Sequence, residues 1–432
     1  MLNKSYRSAA ILALLGLTLA PMAEAGRQVQ FVFTSDPHFG LNRSVFQEEK
    51  NIDSRYANKL MVEKINSLPG VSFPADEELK AGQMIGGIDF VTEGGDISNR
   101  MEASGIVQSS AASWDDFDKI YLHQLNVKTP EGQTAPLFIM PGNHDVTNAI
   151  GYYNRMDPKT DATTMVEIYN RMMKPAVPLT KETYDYKVNK IHYSRDVKGL
   201  HLVFVNVWPD SSERAWLSQD LANIPNGTPV ILFAHDEPDV ETKHLTNPNG
   251  KHDINKDDKF ENILSEQMKG GTKVGDKSTE NERGLANFIK QHTEIKAYFH
   301  GNSHEPDFKA WMGPDFDFML PTFSVDSPVK GTASAKNETM VSFQVATVDL
   351  DEQKITVREC YWNKHPLNKN APLAWGNHTT LDFRQPPVPE PVTAPAVEPV
   401  AAPVAAPDEA PAVAPAPAPI DATQPVAAPV AN

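Results

Sequence analysis

Five short segments of this chain carry side chains that bind metal ions or transfer protons, and each follows an apolar run. They are Asp36-Pro37-His38, Gly95-Asp96, Gly142-Asn143-His144-Asp145, Ala234-His235 and Gly301-Asn302-Ser303-His304. Carboxylate, imidazole and amide groups suit Mn, Zn, Fe or Ni better than Cu(I), which prefers sulfur. The six candidate ligands among them, Asp36, His38, Asp96, Asn143, His235 and His304, are too many for one tetrahedral centre. They fit two ions that share a carboxylate, which activate water and hold the oxygens of a phosphoryl transfer.

Each segment also has an ordinary structural interpretation. Asp36-Pro37-His38 fits an Asx turn, Gly95-Asp96-Ile97-Ser98 fits a helix cap, and His235 fits the polar end of a strand. Because all five segments follow apolar runs, the shared metal site is the favoured hypothesis. It requires that Asp96 lie within reach of both His38 and His235.

The elements that must position these segments follow from apolar patterns. Strands are predicted at Gln28–Thr34, Ile88–Thr92, Pro136–Met140, Leu200–Trp208, Pro229–Phe233 and Ile295–Phe299, and helices at Tyr56–Leu68, 101–126, Thr163–Met173, Ser212–Leu221 and Gly284–His292. Open α/β sheets bind their ligands at the carboxyl ends of the strands. Five of the predicted strands end just before one of the five polar segments. Since residues i and i+2 of an extended segment share a face, Asp36 and His38 are expected to point at one centre.

The later part of the chain adds two further predictions. Val341–Val348 and Lys354–Arg358 alternate apolar and polar residues, which indicates antiparallel strands that complete a second sheet. Residues 240–283 lack periodicity and are predicted to be a long loop beside the site, either a lid or a mobile segment. His201 and Cys360 lie within strand patterns and are interpreted as structural residues.

Both ends of the chain are expected to lie outside the folded domain. Residues 1–25 combine a basic start, a short apolar run and Ala23-Glu24-Ala25, which is typical of a secretory signal peptide cleaved after Ala25. The run is too short to span a bilayer, so a retained anchor is the less favoured alternative. From residue 386 to 432, proline and alanine dominate and predict a disordered tail, either a solvated spacer or an attachment arm with no partner indicated.

These boundaries leave residues 26–385 as one domain of a secreted or periplasmic protein, with no transmembrane segment in its mature chain. The single cysteine excludes an internal disulfide. The net charge of −16 and the absence of clustered Lys and Arg argue against a nucleic-acid partner. Small anionic substrates remain compatible, because bound cations reverse the local field.

The motifs, in this order, resemble the calcineurin-like metallophosphoesterase family over residues 28–306. The resemblance implies an α/β fold, a four-layer sandwich of two mixed β-sheets flanked by helices, with two divalent metal ions at the strand ends. It further implies that the first ion is held by Asp36, His38 and His304, the second by Asn143 and His235, and both by Asp96. His144 resembles the non-ligand histidine that stabilises the transition state or protonates the leaving group. Arg100 occupies the place of a phosphate-binding arginine, although a surface salt bridge is an equal alternative.

Two positions depart from the family pattern. The family has Gly-His-x-His near the end, so Asn302 stands in place of a histidine of the second metal. An amide oxygen is a weaker and harder ligand, so this ion is expected to bind loosely or to favour Mn or Mg. His300 is an alternative ligand, but it precedes Gly301 and is expected to point elsewhere. Asn99 stands where one branch of the family has an aspartate paired with the non-ligand histidine, so His144 loses a partner that would raise its pKa.

The sequence therefore predicts an exported, metal-dependent phosphoric ester hydrolase that acts on small phosphate esters. A hydroxide that bridges two divalent ions (Mn, Zn, Fe, Ni or Mg) would attack phosphorus. Within enzymes, a phosphodiesterase rather than a phosphomonoesterase is the alternative. The non-enzymatic alternative is a secreted binding or scaffold protein on a degenerate phosphoesterase fold. Asn302 and the long tail favour this alternative.

Overall fold

The computed structural model describes residues 27–99, 108–146, 161–186, 188–239, 277–368 and 370–384. The strands are β1 (Gln28–Thr34), β2 (Asn42–Phe46), β3 (Glu49–Asp53), β4 (Phe90–Glu93), β5 (Leu137–Ile139), β6 (Tyr193–Val197), β7 (Leu200–Phe204), β8 (Val230–Phe233), β9 (Ile295–His300), β10 (Asp307–Trp311), β11 (Leu320–Ser324), β12 (Ser342–Asp349), β13 (Lys354–Tyr361) and β14 (Ala374–Asp382). The α-helices are α1 (Ser54–Asn66), α2 (Ser110–Phe117), α3 (Asn143–Val146), α4 (Thr163–Met173), α5 (Ser211–Leu221) and α6 (Thr279–Gln291).

Twelve of these strands form two six-stranded mixed sheets. The first sheet has the order β14-β13-β12-β1-β4-β5 and the second the order β10-β11-β9-β8-β7-β6. In the first sheet β1, β4 and β5 are parallel, and in the second β7, β8 and β9 are parallel. Two mixed sheets with helices confirm the predicted α/β fold class. Because parallel strands end at the same edge of a sheet, the polar segments that follow them are brought together.

Aromatic side chains pack the two sheets against each other close to that edge. Phe31 and Phe33 of β1 contact Phe299 of β9 with ring centroids 5.4 Å apart in each pair. Both also lie 5.9 Å from the ring of Phe233 in β8. All four side chains are fully buried. Edge-on and tilted aromatic pairs of this kind give a rigid base, which fixes the relative position of the loops above it.

The prediction that the late antiparallel strands complete a second sheet was wrong. β12 pairs antiparallel with β1, with Phe31 opposite Ala346, so β12, β13 and β14 extend the first sheet. All eight residues of β12 are buried. Alternation in a sequence indicates the faces of a strand, but it does not identify the neighbouring strand, which only the packed sheet decides.

Several element boundaries also differ from the predictions. The helix predicted over 101–126 is described only from Ser110, and its α-helical part ends at Phe117, where a π-helical turn follows. Helix α6 begins at Thr279, so part of the predicted long loop is helical. The hairpin of β2 and β3 and the edge strand β6 were not predicted, because their sequences are largely polar.

Two residues interpreted as structural are placed accordingly. His201 bonds Asp196 through Nδ1 at 2.7 Å and Asp220 through Nε2 at 2.8 Å. Cys360 is buried in β13, and burial raises the pKa of its thiol.

None of the helices in the described residues combines the length and apolar composition needed to cross a bilayer. The predicted signal peptide, the Pro/Ala-rich tail, residues 240–276 and Arg100 lie outside the described residues.

Candidate metal centre

Four of the predicted ligands meet in one cluster. The ligand atoms of Asp36, His38, Asp96 and His304 all lie within 4.8 Å of one another. His38 Nε2 is 3.0 Å from His304 Nε2, and His304 Nε2 is 3.1 Å from Asp36 Oδ1. Three of the side chains are buried and His304 is partly exposed, so the cluster opens to solvent on the side of His304.

Asn143 and His235 form a second group that also contacts Asp96. His235 Nε2 lies 2.9 Å from Asn143 Oδ1 and 3.4 Å from Asp96 Oδ1. The other oxygen, Asp96 Oδ2, lies 3.7 Å from His38 Nε2. Asp96 therefore reaches both histidines, as the shared site requires, and each of its oxygens faces a different group of donors.

The donor atoms are arranged to receive cations. Asp36 Oδ1 and Asp96 Oδ2 are buried and accept no hydrogen bond within the described part of the chain. His235 Nδ1 lies 2.8 Å from the carbonyl oxygen of Gly94, so it carries a proton, and Nε2 faces two oxygens, where it can bind either a second proton or a cation. Unsatisfied buried polar atoms such as Asp36 Oδ1 and Asp96 Oδ2 cost free energy. Divalent ions bound by oxygen and imidazole nitrogen remove this penalty, so the residues present fit such ions.

The electrostatics of the site agree with this fit. Burial opposes a positive charge on His235, yet the charge of Asp96 raises the pKa of this histidine well above its ordinary value. The site therefore attracts positive charge at this point. Burial lowers the pKa of His38 well below its ordinary value, and the ammonium of Lys330 lowers it further. A neutral imidazole is the form that binds a metal ion.

The backbone at the ligands is left-handed rather than extended. The φ angles are 61° at Asp36, 42° at His38, 58° at Asp96 and 54° at His304. The prediction of an extended segment was therefore wrong, although both side chains of the first segment still reach one centre, with His38 Nε2 3.5 Å from Asp36 Oδ1. The turns let Asp36 N and His38 N donate to the carbonyls of Gly95 and Asp96, each at 3.0 Å. Such conformations collect at functional sites.

Two glycines permit the close approach of the loops. A Cβ atom at Gly142 would lie 2.2 Å from Asp96 Oδ1. One at Gly301 would lie 2.0 Å from Ser35 Oγ and 2.4 Å from Asp36 Oδ2. Any side chain at these positions would displace a carboxylate of the cluster, so only glycine is compatible with this arrangement.

Asp145 belongs to the sequence motif but serves the loops rather than the cluster. Its carboxylate accepts hydrogen bonds from Gly142 N and Ser98 N, each at 2.9 Å. Burial, followed by the charge of Asp96, raises the pKa of Asp145 to about 7. Sequence reasoning assigned it no role, although an acidic residue in the first turn of a helix that follows a glycine is a recognised signal for binding free backbone N–H groups.

Sequence reasoning also missed a loop that supports the cluster from the other sheet. Ser327 Oγ donates to the carbonyl oxygen of Asp36 at 2.7 Å, and Lys330 N donates to Ser327 Oγ at 2.9 Å. Thr332 N donates to the carbonyl oxygen of His304 at 2.8 Å. These residues lie almost 300 positions after Asp36, so no local pattern in the sequence indicates the contact.

His144 lies beside the cluster without joining it. Its Nδ1 is 2.7 Å from the carbonyl oxygen of Asn99, and its Nε2 is 4.0 Å from Asp96 Oδ2. The side chain at position 99 supplies no carboxylate, but the main chain there supplies a partner that orients the ring. Its backbone N–H donates to Asp96 Oδ1 at 2.7 Å.

Asn302 lies at the edge of the site and turns its amide nitrogen away from the cluster. Its Nδ2 donates to Glu237 Oε2 at 3.1 Å, and its backbone N donates to Asp36 Oδ2 at 3.0 Å. Its role as a ligand therefore stays a prediction. His300, the alternative ligand, contacts the carbonyl oxygen of Gly301 through Nδ1 at 3.1 Å and lines a neighbouring cavity.

The replacement Asn302→His is expected to tighten binding of the second ion by at least about tenfold, the lower end of what altered metal surroundings produce. Imidazole is the stronger donor, and histidine tolerates the φ of 60° at this position. Mn²⁺ bound per chain is measured over a series of free Mn²⁺ concentrations. Asn370→His, an exposed position, is the matched control. Identical binding curves for wild type and Asn302→His would contradict the expectation.

Comparison with known proteins identifies the family. Similar solved structures include a predicted phosphoesterase from Streptococcus pneumoniae (9% identity, 82% of this chain and 97% of that chain covered, TM-score 0.28). They also include phosphopantetheinyl hydrolase from Mycobacterium tuberculosis (11% identity, 70% and 92% covered, TM-score 0.30) and a Vps29 single mutant from Entamoeba histolytica (8% identity, 82% and 99% covered, TM-score 0.30). No curated protein matches the chain. The family profile for calcineurin-like phosphoesterases matches residues 29–306, more than half of the chain. The chain therefore belongs to the calcineurin-like phosphoesterase family.

Proposed function

We propose that the protein is an exported, metal-dependent phosphoesterase that hydrolyses small phosphate esters at a dinuclear centre. The observation that carries this proposal is the position of Asp96, whose two oxygens face His38 and His235 respectively. The first ion would be held by Asp36, His38 and His304, the second by Asn143 and His235, and both by Asp96. When bound, two divalent ions lower the pKa of water and neutralise charge on the phosphoryl group.

The other residues of the site would transfer a proton, supply positive charge or hold the loops in position. His144 is oriented by the carbonyl of Asn99, so its Nε2 is available on the side of Asp96 to protonate the leaving oxygen or to stabilise the transferring group. The ammonium of Lys330 lowers the pKa of His38 and so adds positive charge near this side of the cluster. Asp145 and Ser327 hold the ligand loops in place, which supplies the preorganisation that electrostatic catalysis needs.

The secreted or periplasmic location is the part of the proposal that rests on residues 1–25 alone. Their basic start, apolar run and small-residue site support export. N-terminal sequencing of the mature protein is expected to begin at Gly26, and a mature chain that still begins at Met1 would contradict export.

Metal removal tests the enzymatic function directly. The full-length protein is stripped with a chelator and reloaded with Mn²⁺, and hydrolysis of p-nitrophenyl phosphate and of bis(p-nitrophenyl) phosphate is followed. We expect reloading to restore at least about 10²-fold in kcat, since bound metals supply several kcal/mol and about 1.4 kcal/mol is tenfold. The ester that is hydrolysed faster decides between a monoesterase and a diesterase. Rates that do not respond to stripping and reloading would contradict the proposal.

One observation favours a second function, a binding or scaffold role on a degenerate site. Position 302 is an asparagine where the family has a histidine that binds the second ion. The amide nitrogen of Asn302 is bonded to Glu237 instead. Metal analysis separates the two functions. Fewer than one tightly bound ion per chain, together with no hydrolysis of either nitrophenyl ester, would support the binding role.

A further inference from the structure

A cavity of about 610 Å³ lies next to the metal centre. Its wall is built from the same loops as the centre, because Glu237 lies two residues after His235, and Ser303 and Glu305 flank His304. Cavities of roughly 300–1,000 Å³ accommodate small organic ligands. A molecule held by its phosphate at the metal centre would therefore extend naturally into this space.

The cavity is strongly acidic. Carboxylates in its wall outnumber lysines five to two; they belong to Glu237, Asp239, Glu282, Glu305 and Asp307. Both lysines are already paired, Lys277 with Asp239 and Lys309 with Asp307. Glu237 is bonded to the neutral amide of Asn302, and the charge of Glu305 acts on Lys309, whose ammonium is paired with Asp307. The excess of carboxylates over lysines in the wall favours a cationic ligand.

The buried histidine in the wall also presents an acceptor. His300 is only 7% exposed, and its Nδ1 donates to the carbonyl oxygen of Gly301. The other nitrogen, Nε2, therefore carries a lone pair, and it forms no hydrogen bond within the described part of the chain. With carboxylates around it, this wall presents lone pairs and negative charge. A positively charged ligand, whether or not it also donates hydrogen bonds, is attracted to such a wall.

An organic cation fits the cavity better than a bare metal ion. Among the described residues, the cluster at the metal centre is the one group of three or more potential ligand side chains with all ligand atoms within 4.8 Å. The carboxylates of the cavity are too dispersed to surround an ion. Two aromatic rings line the cavity, Trp311, whose Nε1 donates to Glu282 at 3.0 Å, and Phe316, which is 69% exposed. Aromatic faces attract ammonium groups, including quaternary ones.

We propose that this cavity, the ammonium pocket, binds the positively charged nitrogen of an amino alcohol that is esterified to the phosphate. The preferred substrates would then be phosphate esters of amino alcohols, whether free in solution or as the headgroup of a lipid. The inference rests on the proposed function, because it assumes that the phosphate of the same molecule lies at the metal centre.

A pair of matched diesters tests the pocket on the full-length, Mn²⁺-loaded protein. p-Nitrophenyl phosphorylcholine carries a trimethylammonium group, and p-nitrophenyl 3,3-dimethylbutyl phosphate carries a neutral tert-butyl group of the same shape. We expect kcat/KM to be at least about tenfold higher for the choline ester, which corresponds to about 1.4 kcal/mol of cation binding. Equal kcat/KM values for the two diesters would overturn the proposal.

Two variants locate the preference in the pocket. Glu305→Gln removes a charge, and Phe316→Ala removes an aromatic face. Because both side chains are exposed, neither variant is expected to disturb the fold. Each is expected to lower kcat/KM for the choline ester severalfold and to leave the neutral ester unchanged. Glu63→Gln on helix α1, an exposed glutamate outside the cavity, is the matched control and keeps the full preference. A preference that survives both variants would overturn the pocket as its cause.

A binding measurement separates failure of the pocket from failure of the enzyme. Choline chloride alone is titrated with the full-length protein, and broadening of its methyl proton signal is followed by NMR. Broadening by wild type that Glu305→Gln weakens supports the pocket even if no ester is hydrolysed. Hydrolysis of both diesters without preference and without broadening rejects the pocket and leaves the enzyme intact. Faster release of phosphorylcholine or choline from phosphatidylcholine vesicles than from soluble esters would identify a lipid headgroup, and the reverse a free ester.

Discussion

Replacing Asp96 by asparagine is expected to reduce kcat for p-nitrophenyl phosphate by about 10³-fold or more. One oxygen of Asp96 faces His38 at 3.7 Å and the other faces His235 at 3.4 Å, so a single carboxylate serves both groups of donors. The amide of asparagine carries no charge and directs N–H groups toward one of the two groups. Loss of a shared ligand removes several kcal/mol of transition-state stabilisation, and about 4 kcal/mol corresponds to roughly 10³-fold in rate.

The measurement pairs kcat with the number of Mn²⁺ ions bound per chain. We expect Asp96→Asn to bind fewer ions than wild type at the same free Mn²⁺ concentration, in parallel with its loss of activity. Asp351→Asn, which removes an exposed carboxylate that pairs with Arg27 and lies outside the cluster, is the matched control and is expected to retain both activity and Mn²⁺ binding. Far-UV circular dichroism of the metal-free proteins verifies that the variant is folded. Equal activity of Asp96→Asn and wild type would refute the assignment of the centre.

Replacing His144 by alanine is expected to lower kcat by about 10²- to 10⁴-fold while metal content stays unchanged, the range that general acid catalysis supplies. The side chain of His144 is outside the ligand cluster, and its Nε2 lies 4.0 Å from Asp96 Oδ2. The hydrogen bond that positions Asp96 comes from the backbone N–H of residue 144, which alanine retains. The variant therefore separates proton transfer from metal binding.

Leaving-group dependence distinguishes the two roles considered for His144. p-Nitrophenolate leaves readily without a proton, whereas the leaving oxygen of an alkyl phosphate needs one. If His144 is the general acid, the loss of kcat is expected to be much larger for an alkyl ester than for the nitrophenyl ester. A loss of equal size for both esters would assign His144 to stabilisation of the transferring group. His123→Ala, at an exposed histidine, is the matched control, and a wild-type rate for His144→Ala would exclude both roles.

Asn302, where the chain departs from the family pattern, contacts both the candidate metal centre and the acidic cavity. Asn302 joins the two, since its backbone N–H binds Asp36 and its side chain binds Glu237 in the wall of the cavity. Where the family pattern has a histidine directed at a metal ion, this chain has an amide that holds a carboxylate of the ammonium pocket. We therefore expect weak binding of the proposed second ion and selection by the pocket to be linked properties of Asn302.

The linear sequence determined which side chains could do chemistry and where each would stand on a strand. β1 and α4 have the predicted boundaries, and each strand end that precedes one of the five polar segments lies within one residue of its predicted position. This succeeded because apolar runs that end in Gly, Pro or Asp are local signals, readable without knowledge of the neighbours. The order of the segments was sufficient to name the family before any contact was known.

Only the tertiary structure decided how those side chains are held. The left-handed backbone at Asp36 and His38 depends on hydrogen bonds to Gly95 and Asp96, and the orientation of Asn302 depends on Glu237. The placement of β12 beside β1 joins segments more than 300 residues apart. Such contacts form between residues that are distant along the chain, so their energies leave no periodic trace in either segment. The acidic cavity arises in the same way, because its wall is assembled from separate loops that packing of the two sheets brings together.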